Sequence, residues 1–225
     1  MAGRVAYYGG IVKDGLVLNL DAAKRDSYPG SGTTWRDISG NQNNGTLING
    51  PTFNSDNGGS FVFDGSNDYV NTNYTPPTSN FTVNIVYKCN NPVFWAPIWG
   101  CEVWNSLTGY IAYFERSGIL EFSRGGGGSI RTSTPTTATA NYTFTLSSNG
   151  AACIYINGIL RTSGTITLAS SITRPIILSA RYDNGGGGPF DIRASTIPYL
   201  SIYNRALTAQ EVLQNYNATK GRYGL

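Results

Sequence analysis

Most of the chain alternates apolar and polar residues with a period of two, the pattern that sends successive side chains to opposite faces of a β-strand. The longest such run is Phe81-Thr82-Val83-Asn84-Ile85-Val86-Tyr87. Gly15 to Asp21 sets Leu16, Leu18 and Leu20 on one face. Asn141 to Leu146 sets Tyr142, Phe144 and Leu146 on one face and Thr143 and Thr145 on the other. Between them, Phe61-Val62-Phe63 runs into the polar loop Asp64-Gly65-Ser66-Asn67-Asp68 and out through Tyr69-Val70, with Phe61 and Phe63 facing one side and Val62 the other.

Turn residues divide the strands. Ser147-Ser148-Asn149-Gly150 links Asn141–Leu146 to Ala151–Ile156. Asn157-Gly158 then marks a tight hairpin, because both central positions of a type I′ turn need positive φ. Three consecutive antiparallel strands are predicted there. Tyr110 to Phe114 and Ile119 to Phe122 predict another hairpin, closed by Glu115-Arg116-Ser117-Gly118. Leu47-Ile48, Ile176 to Ala180 and Tyr199 to Tyr203 read as further strands, whereas Tyr28 to Gly32, Gly125 to Gly128 and Gly185 to Gly188 read as loops. A helix signal arises only near the C-terminus. Thr208-Ala209-Gln210-Glu211 fits a capping box, and the following helix is expected to face Val212, Leu213 and Tyr216 inward.

Composition narrows this to one all-β domain. A chain of 225 residues with 28 glycines, 15 tyrosines and 13% charged residues suits many short strands joined by tight turns. Residues 1–14 look like an arm that orders against a partner, so the expected division is a docking arm at 1–14 and a domain at 15–225. The net charge of +3 comes from 16 basic and 13 acidic residues with no run of three Lys or Arg, which leaves no basic face for nucleic acid. The opening Met-Ala-Gly-Arg-Val-Ala-Tyr-Tyr-Gly-Gly resembles neither a signal peptide nor a membrane anchor. No stretch stays apolar for the roughly 20 residues a spanning helix needs, so synthesis in a cytoplasm and no membrane insertion are expected. Cys89, Cys101 and Cys153 are too few for a disulfide framework. Cys89 and Cys101 could face each other across a connection, but reduced structural thiols are expected, with Cys153 buried in a strand.

Six segments carry a resemblance. Gly15-Leu16-Val17-Leu18-Asn19-Leu20-Asp21, Trp35-Arg36-Asp37-Ile38-Ser39-Gly40, Asn44-Gly45-Thr46, Phe63 to Val70, Tyr155-Ile156-Asn157-Gly158 and Tyr203-Asn204-Arg205-Ala206-Leu207-Thr208 resemble, in order, the signature segments of laminin G-like, concanavalin A-like lectin and glucanase domains. The resemblance implies a two-sheet antiparallel jelly-roll β-sandwich with a short C-terminal helix, which strand counting alone does not separate from other sandwiches. The arm, the Ser27 to Trp35 loop and the Lys220 to Leu225 end are similar to versions found in virion proteins of tailed phages. That narrower likeness implies a structural protein on the virion exterior, a capsid decoration or a tail or head fibre component. The arm would hold it to other virion proteins, and it would be a homo-oligomer on the particle. A free carbohydrate-binding lectin module is the alternative.

The family likeness also implies glycan binding and, at the rim, calcium. Sugars present flat apolar faces edged by hydroxyls, so a site needs an aromatic platform with polar partners. Trp95, Trp99, Trp104, Tyr110 and Tyr182 are the candidate platforms, with Asn105 and Asp183 as partners. Each aromatic equally suits a β core, and at least one is expected at an exposed rim. Calcium candidates are Asp64, Asn67 and Asp68, and Asp183-Asn184, since hard cations take oxygen ligands. The simpler reading of Asp64 to Asp68 is a turn capped by its own side chains. The Glu-x-Asp-x-(x)-Glu strand of the related glycoside hydrolases is absent. Glu115 and Glu121 lie on opposite arms of a predicted hairpin and are expected to be solvated rim carboxylates. No histidine is present for a His-based triad. A polysaccharide-active enzyme is therefore the least favoured reading, and the Asn-x-Thr triplets at Asn44, Asn73, Asn80, Asn141 and Asn217 are read as turn and strand composition.

Overall fold

The computed structural model describes residues 9–91, 95–101, 108–115, 118–134, 137–182 and 189–225. The alternating runs become strands β1 (Leu16–Asp21), β2 (Thr34–Trp35), β3 (Gly45–Ile48), β4 (Thr52–Asn54), β5 (Ser60–Asp64), β6 (Tyr69–Asn71), β7 (Phe81–Cys89), β8 (Ala96–Gly100) and β9 (Ile111–Phe114). They continue with β10 (Ile119–Ser123), β11 (Ser129–Ser133), β12 (Ala140–Leu146), β13 (Ala151–Ile156), β14 (Ile159–Thr165), β15 (Ile177–Leu178), β16 (Arg181–Tyr182), β17 (Pro189–Phe190) and β18 (Ala194–Tyr203), and the helix α1 (Ala209–Thr219) follows. One antiparallel sheet runs β14-β13-β12-β7-β18-β5-β4, with β1 also paired to β18. The other runs β11-β10-β9-β8-β15-β6-β3-β2, and a separate β16-β17 hairpin stands beside them. The expected two-sheet jelly-roll sandwich is present.

Alternation builds the interior. Phe81, Val83, Ile85 and Tyr87 of β7 and Tyr142, Phe144 and Leu146 of β12 face Ala112, Phe114, Leu120 and Phe122 of the opposing sheet. Trp99 sits among them, its ring 5.7 Å from Phe122 and 5.8 Å from Phe144. Phe61 and Phe63 are buried while Val62 is half-buried, as their period requires. Each large apolar side chain so buried stabilises the fold by about 1.5–3 kcal/mol. At the predicted hairpin, Asn157 and Gly158 take φ of 52° and 77° between β13 and β14.

Elsewhere the structure departs from the pattern for identifiable reasons. Thr143 and Thr145 are buried too, because both faces of β12 are covered. The strand expected at Tyr199 to Tyr203 begins at Ala194 and shifts register between Thr196 and Tyr199, around Pro198, which has no N–H for the ladder. Ile176 to Ala180 shrinks to two residues because Ser179 turns to φ 62°. β11 was not anticipated, since Ser129-Ile130-Arg131-Thr132-Ser133 offers one apolar residue. The cysteines are free thiols, with Cys89 and Cys101 buried and Cys153 only half-buried.

The helix carries its capping box: Glu211 N–H donates to Thr208 Oγ1 at 3.3 Å, and Thr208 N–H donates to the Glu211 carboxylate at 2.9 Å. Its buried face is Val212, Asn215 and Thr219, at the i, i+3, i+7 spacing of one helical stripe. Leu213 therefore points away and is 43% exposed, contrary to expectation, and Tyr216 is half-buried. Packing also extends past the expected boundary at residue 14. Val12 is buried with Leu16, Tyr203 and Val212; its N–H donates to Asn215 Oδ1 at 2.8 Å and its carbonyl accepts from Tyr203 at 3.1 Å. The second half of the arm thus belongs to the domain, and residues 1–8 lie outside the described residues.

Candidate functional site

β9, β10 and β11 lie side by side, with Tyr113 opposite Glu121 and Glu121 opposite Arg131. Direct partners in a ladder share a face, and Ala112, Phe114, Leu120, Phe122 and Ile130 take the core side. Tyr113, Glu121 and Arg131 therefore form a row across the outer face. Arg131 Nε lies 2.7 Å from a Glu121 oxygen, and a terminal nitrogen of Arg131 lies 3.6 Å from Glu115. Glu121 is only 4% exposed, not the solvated carboxylate expected of it, because its strand is flanked on both sides and Arg131 reaches over it. Burial first, and then the Glu121 charge, push the Tyr113 hydroxyl well up, so it stays protonated as a donor.

Trp95 precedes β8 and lies against Tyr113, ring centroids 5.0 Å apart and tilted by 40°. It is half-buried and adopts φ 52°, a backbone region that bulky residues rarely occupy and that costs on the order of 1–3 kcal/mol. The loop at 125–128 supplies the opposite wall. Trp95, Tyr113, Glu121, Arg124, Ser129 and Arg131 border, with that loop, a cleft of ≈ 210 Å³. Drug-sized pockets hold roughly 300–1,000 Å³, so this cleft suits a single small ring bearing polar groups.

Of the five candidate platforms, Trp95 alone is brought to this cleft among the described residues. Trp99 and Tyr110 are corrections: both are fully buried. A register shift between Pro97 and Trp99 turns the Trp99 side chain to the core, so the even spacing from Trp95 does not leave the two on one face. Tyr110 packs 5.3 Å from Phe81, and its hydroxyl donates to the Thr78 carbonyl at 2.6 Å and accepts from Ala169 N–H at 2.8 Å. Tyr182 is half-buried with Arg174 stacked 4.8 Å over its ring; its hydroxyl, pushed up to about 12 by burial, donates to the Pro175 carbonyl. Trp104, Asn105, Asp183 and Asn184 lie outside the described residues.

Of the calcium candidates, Asp64, Asn67 and Asp68 are described, and N–H groups of their own loop occupy part of the carboxylate oxygens. Asp64 accepts from Ser66 N–H at 2.8 Å and from Asn67 N–H at 3.3 Å, and those bonds, Ser66 foremost, hold its carboxyl below the usual range. Asp68 is buried, which raises its carboxyl, and it accepts from Asp64 N–H at 3.2 Å. The Asn67 carbonyl accepts from Asn49 at 2.8 Å. These oxygens cap the loop. No group of three acidic, histidine or cysteine side chains able to hold a metal occurs among the described residues.

Tyr113, Arg124 and Arg131 were missed in the sequence. The available signal was weak: in Ser129-Ile130-Arg131, one inward isoleucine implies an outward arginine.

Residues 63–213 match the laminin G-type profile of the Concanavalin A-like lectin/glucanases superfamily. The match spans more than half of the chain, and the chain belongs to this family. Similar solved structures include a mutant of Trypanosoma rangeli sialidase displaying trans-sialidase activity, with a TM-score of 0.70, 14% identity and coverage of 96% of this chain and 35% of that one. The binding domain of Paraclostridial Mosquitocidal Protein 1 has a TM-score of 0.67, 17% identity and coverage of 92% and 52%. The receptor binding domain of the botulinum neurotoxin C/D mosaic serotype has a TM-score of 0.66, 16% identity and the same coverage. The chain spans about half the length of those toxin domains, and at such identities the likeness establishes the fold. No curated protein matches the sequence.

Proposed function

We propose that the chain is a non-catalytic saccharide-binding domain carried on the exterior of a tailed-phage particle. The observation that carries the binding reading is Trp95 held against Tyr113 beside Glu121 and Arg131. An aromatic face suits the apolar face of a pyranose, while the carboxylate accepts from its hydroxyls and the guanidinium donates to them. The binding domains among the structural neighbours support this as fold analogy only. The non-catalytic reading rests on the carboxylates. Glycoside hydrolysis needs one carboxyl as acid and a second as nucleophile or base, whereas Glu115 and Glu121 both lean on Arg131 and neither stands free. The virion reading rests on the likeness of the arm, the Ser27 to Trp35 loop and the chain end, and a glycine-rich surface of low charge suits dense display. Residues 1–8 are the segment proposed to dock onto other virion proteins, with copies of the chain forming a homo-oligomer on the particle.

Two measurements test this. Retention on immobilised glycans, lost in Trp95→Ala, is expected, and a broad glycan panel without a binder overturns the binding reading. Co-sedimentation with virions, lost on removing residues 1–8, is expected. A soluble chain that binds glycans but never co-sediments is instead a free lectin module.

A further inference from the structure

Among the described residues, one charge bordering the cleft has no acidic partner. Arg124 is 8% exposed, and no carboxylate lies within ion-pair distance of it among the described residues. One terminal nitrogen donates to the Leu168 carbonyl at 3.1 Å, and Nε has no partner. The guanidinium occupies the space a side chain at residue 127 would need: a Cβ on Gly127 would come within 1.7 Å of Arg124 Nε. Glycine at 127 is therefore what lets the arginine lie under the loop. Glu121, the acid of the cleft wall, is ion-paired with Arg131 at 2.7 Å, although its Oε2 makes no hydrogen bond among the described residues. The lining thus holds one acid against two arginines. A sequestered cation without a counterion is unfavourable, and such groups are ordinarily paired.

Resting on the saccharide reading of this cleft, we propose that its ligand is an acidic saccharide, whose carboxylate or sulfate pairs with Arg124 while its ring lies against Trp95. The planar guanidinium offers the parallel donors that both anions accept. The acidic group distinguishes the ligand from the neutral glycans that an aromatic platform alone would hold.

The test uses the full chain against immobilised polygalacturonate, dextran sulfate and unmodified dextran at several NaCl concentrations. At least one acidic polymer is expected to bind tenfold or more tighter than dextran, and the tighter of the two identifies carboxylate or sulfate as the group read. Trp95→Ala and Arg124→Gln are each expected to abolish that preference, and Gly127→Ala to weaken it at least threefold without changing the charge. Equal retention of dextran, still lost in Trp95→Ala, leaves the saccharide reading standing and overturns the acidic one. Retention of the acidic polymers that Trp95→Ala leaves intact is nonspecific polyanion binding and overturns both, whereas no retention of any of the three overturns the acidic reading and leaves the saccharide reading to the broad panel. Competition on the unaltered chain by galacturonate but not galactose supports the proposal without any variant, and equal competition overturns it.

Discussion

The two sheets turn very different outer faces to their surroundings. Over β1 and the part of β18 beside it in the first, the chain closes on itself, while a cleft of ≈ 220 Å³ bordered by Val62, Lys88, Thr196 and Tyr223 stays open alongside. Val212 of α1 packs with Val12, Tyr155 and Tyr203, and Tyr223 lies 5.9 Å from Tyr199. Polar groups on this face are partnered from within: Asn84 joins Ser201, Asn141 and Thr143, and Asp21 accepts from Ala23 N–H, from Tyr223 at 2.8 Å and from Arg222. Asn19 Oδ1 and the Tyr199 hydroxyl are exceptions, and both residues border a narrower cleft of ≈ 140 Å³ between the chain ends. Over β9 to β11 of the second sheet an open cleft remains, and its buried charges are incompletely matched. Burial of polar groups on its own does not mark a site. What separates the two clefts is charge: neutral groups lack partners at the narrower one, whereas at the β9 to β11 cleft a buried arginine lacks an acidic partner among the described residues beside a half-buried tryptophan.

The largest expected effect breaks the closed face. Asp21→Ala strands Arg222 and Tyr223 and should cost about 3 kcal/mol in urea unfolding while leaving glycan retention unchanged. A loss under about 1 kcal/mol would mean that the C-terminal segment is not held by this acid. Next, Trp95→Ala should weaken retention by roughly 30-fold, about 2 kcal/mol, and move Tm by less than about 2 °C. A large fall in Tm would make Trp95 a core residue and erase the contrast between the faces.

A smaller effect concerns Glu211 on the closed face. Arg205 holds it at 2.6 and 3.0 Å and draws its carboxyl to about 2 from an ordinary 4.5. A depressed carboxyl stabilises the fold above its unfolded value, so this contribution is complete above about pH 4.5 and lost as pH falls towards 2. With the side chain 25% exposed, solvent screening leaves about 1 kcal/mol. Unfolding of the unaltered chain and of Glu211→Gln should accordingly converge between pH 5 and 2; curves that stay parallel would refute it. The smallest expected effect is none: calcium or EDTA should leave Tm unchanged, because Asp64 Oδ1 and Asp68 Oδ2 already accept from N–H groups of the loop itself. A calcium-dependent rise of several degrees would restore that loop as a metal site.

The capping box at Thr208, the hairpin at Asn157-Gly158 and the inward phenylalanines of β5 were legible because each depends on neighbours a few residues away. Arg131 was not legible, because its strand is recognisable only once β10 is beside it. Trp95 and Trp99 were inseparable on paper, since a bulge at Pro97 decides which of them faces the core. Leu213 was misassigned because three inward positions cannot be chosen from a mostly polar helix until the surface it covers is known.

Local period, turn chemistry and capping, all short-range, determined from the chain alone that it is an all-β domain ending in a helix, and the resemblance of six short segments added the sandwich. Which parts of the outer faces are covered by the chain ends and which stay open as clefts was decided only in three dimensions. So was the meeting of Glu121, Arg131 and Arg124 beside Trp95. Cross-strand register joins residues with no sequence proximity, and the balance of buried charge exists only after they have met.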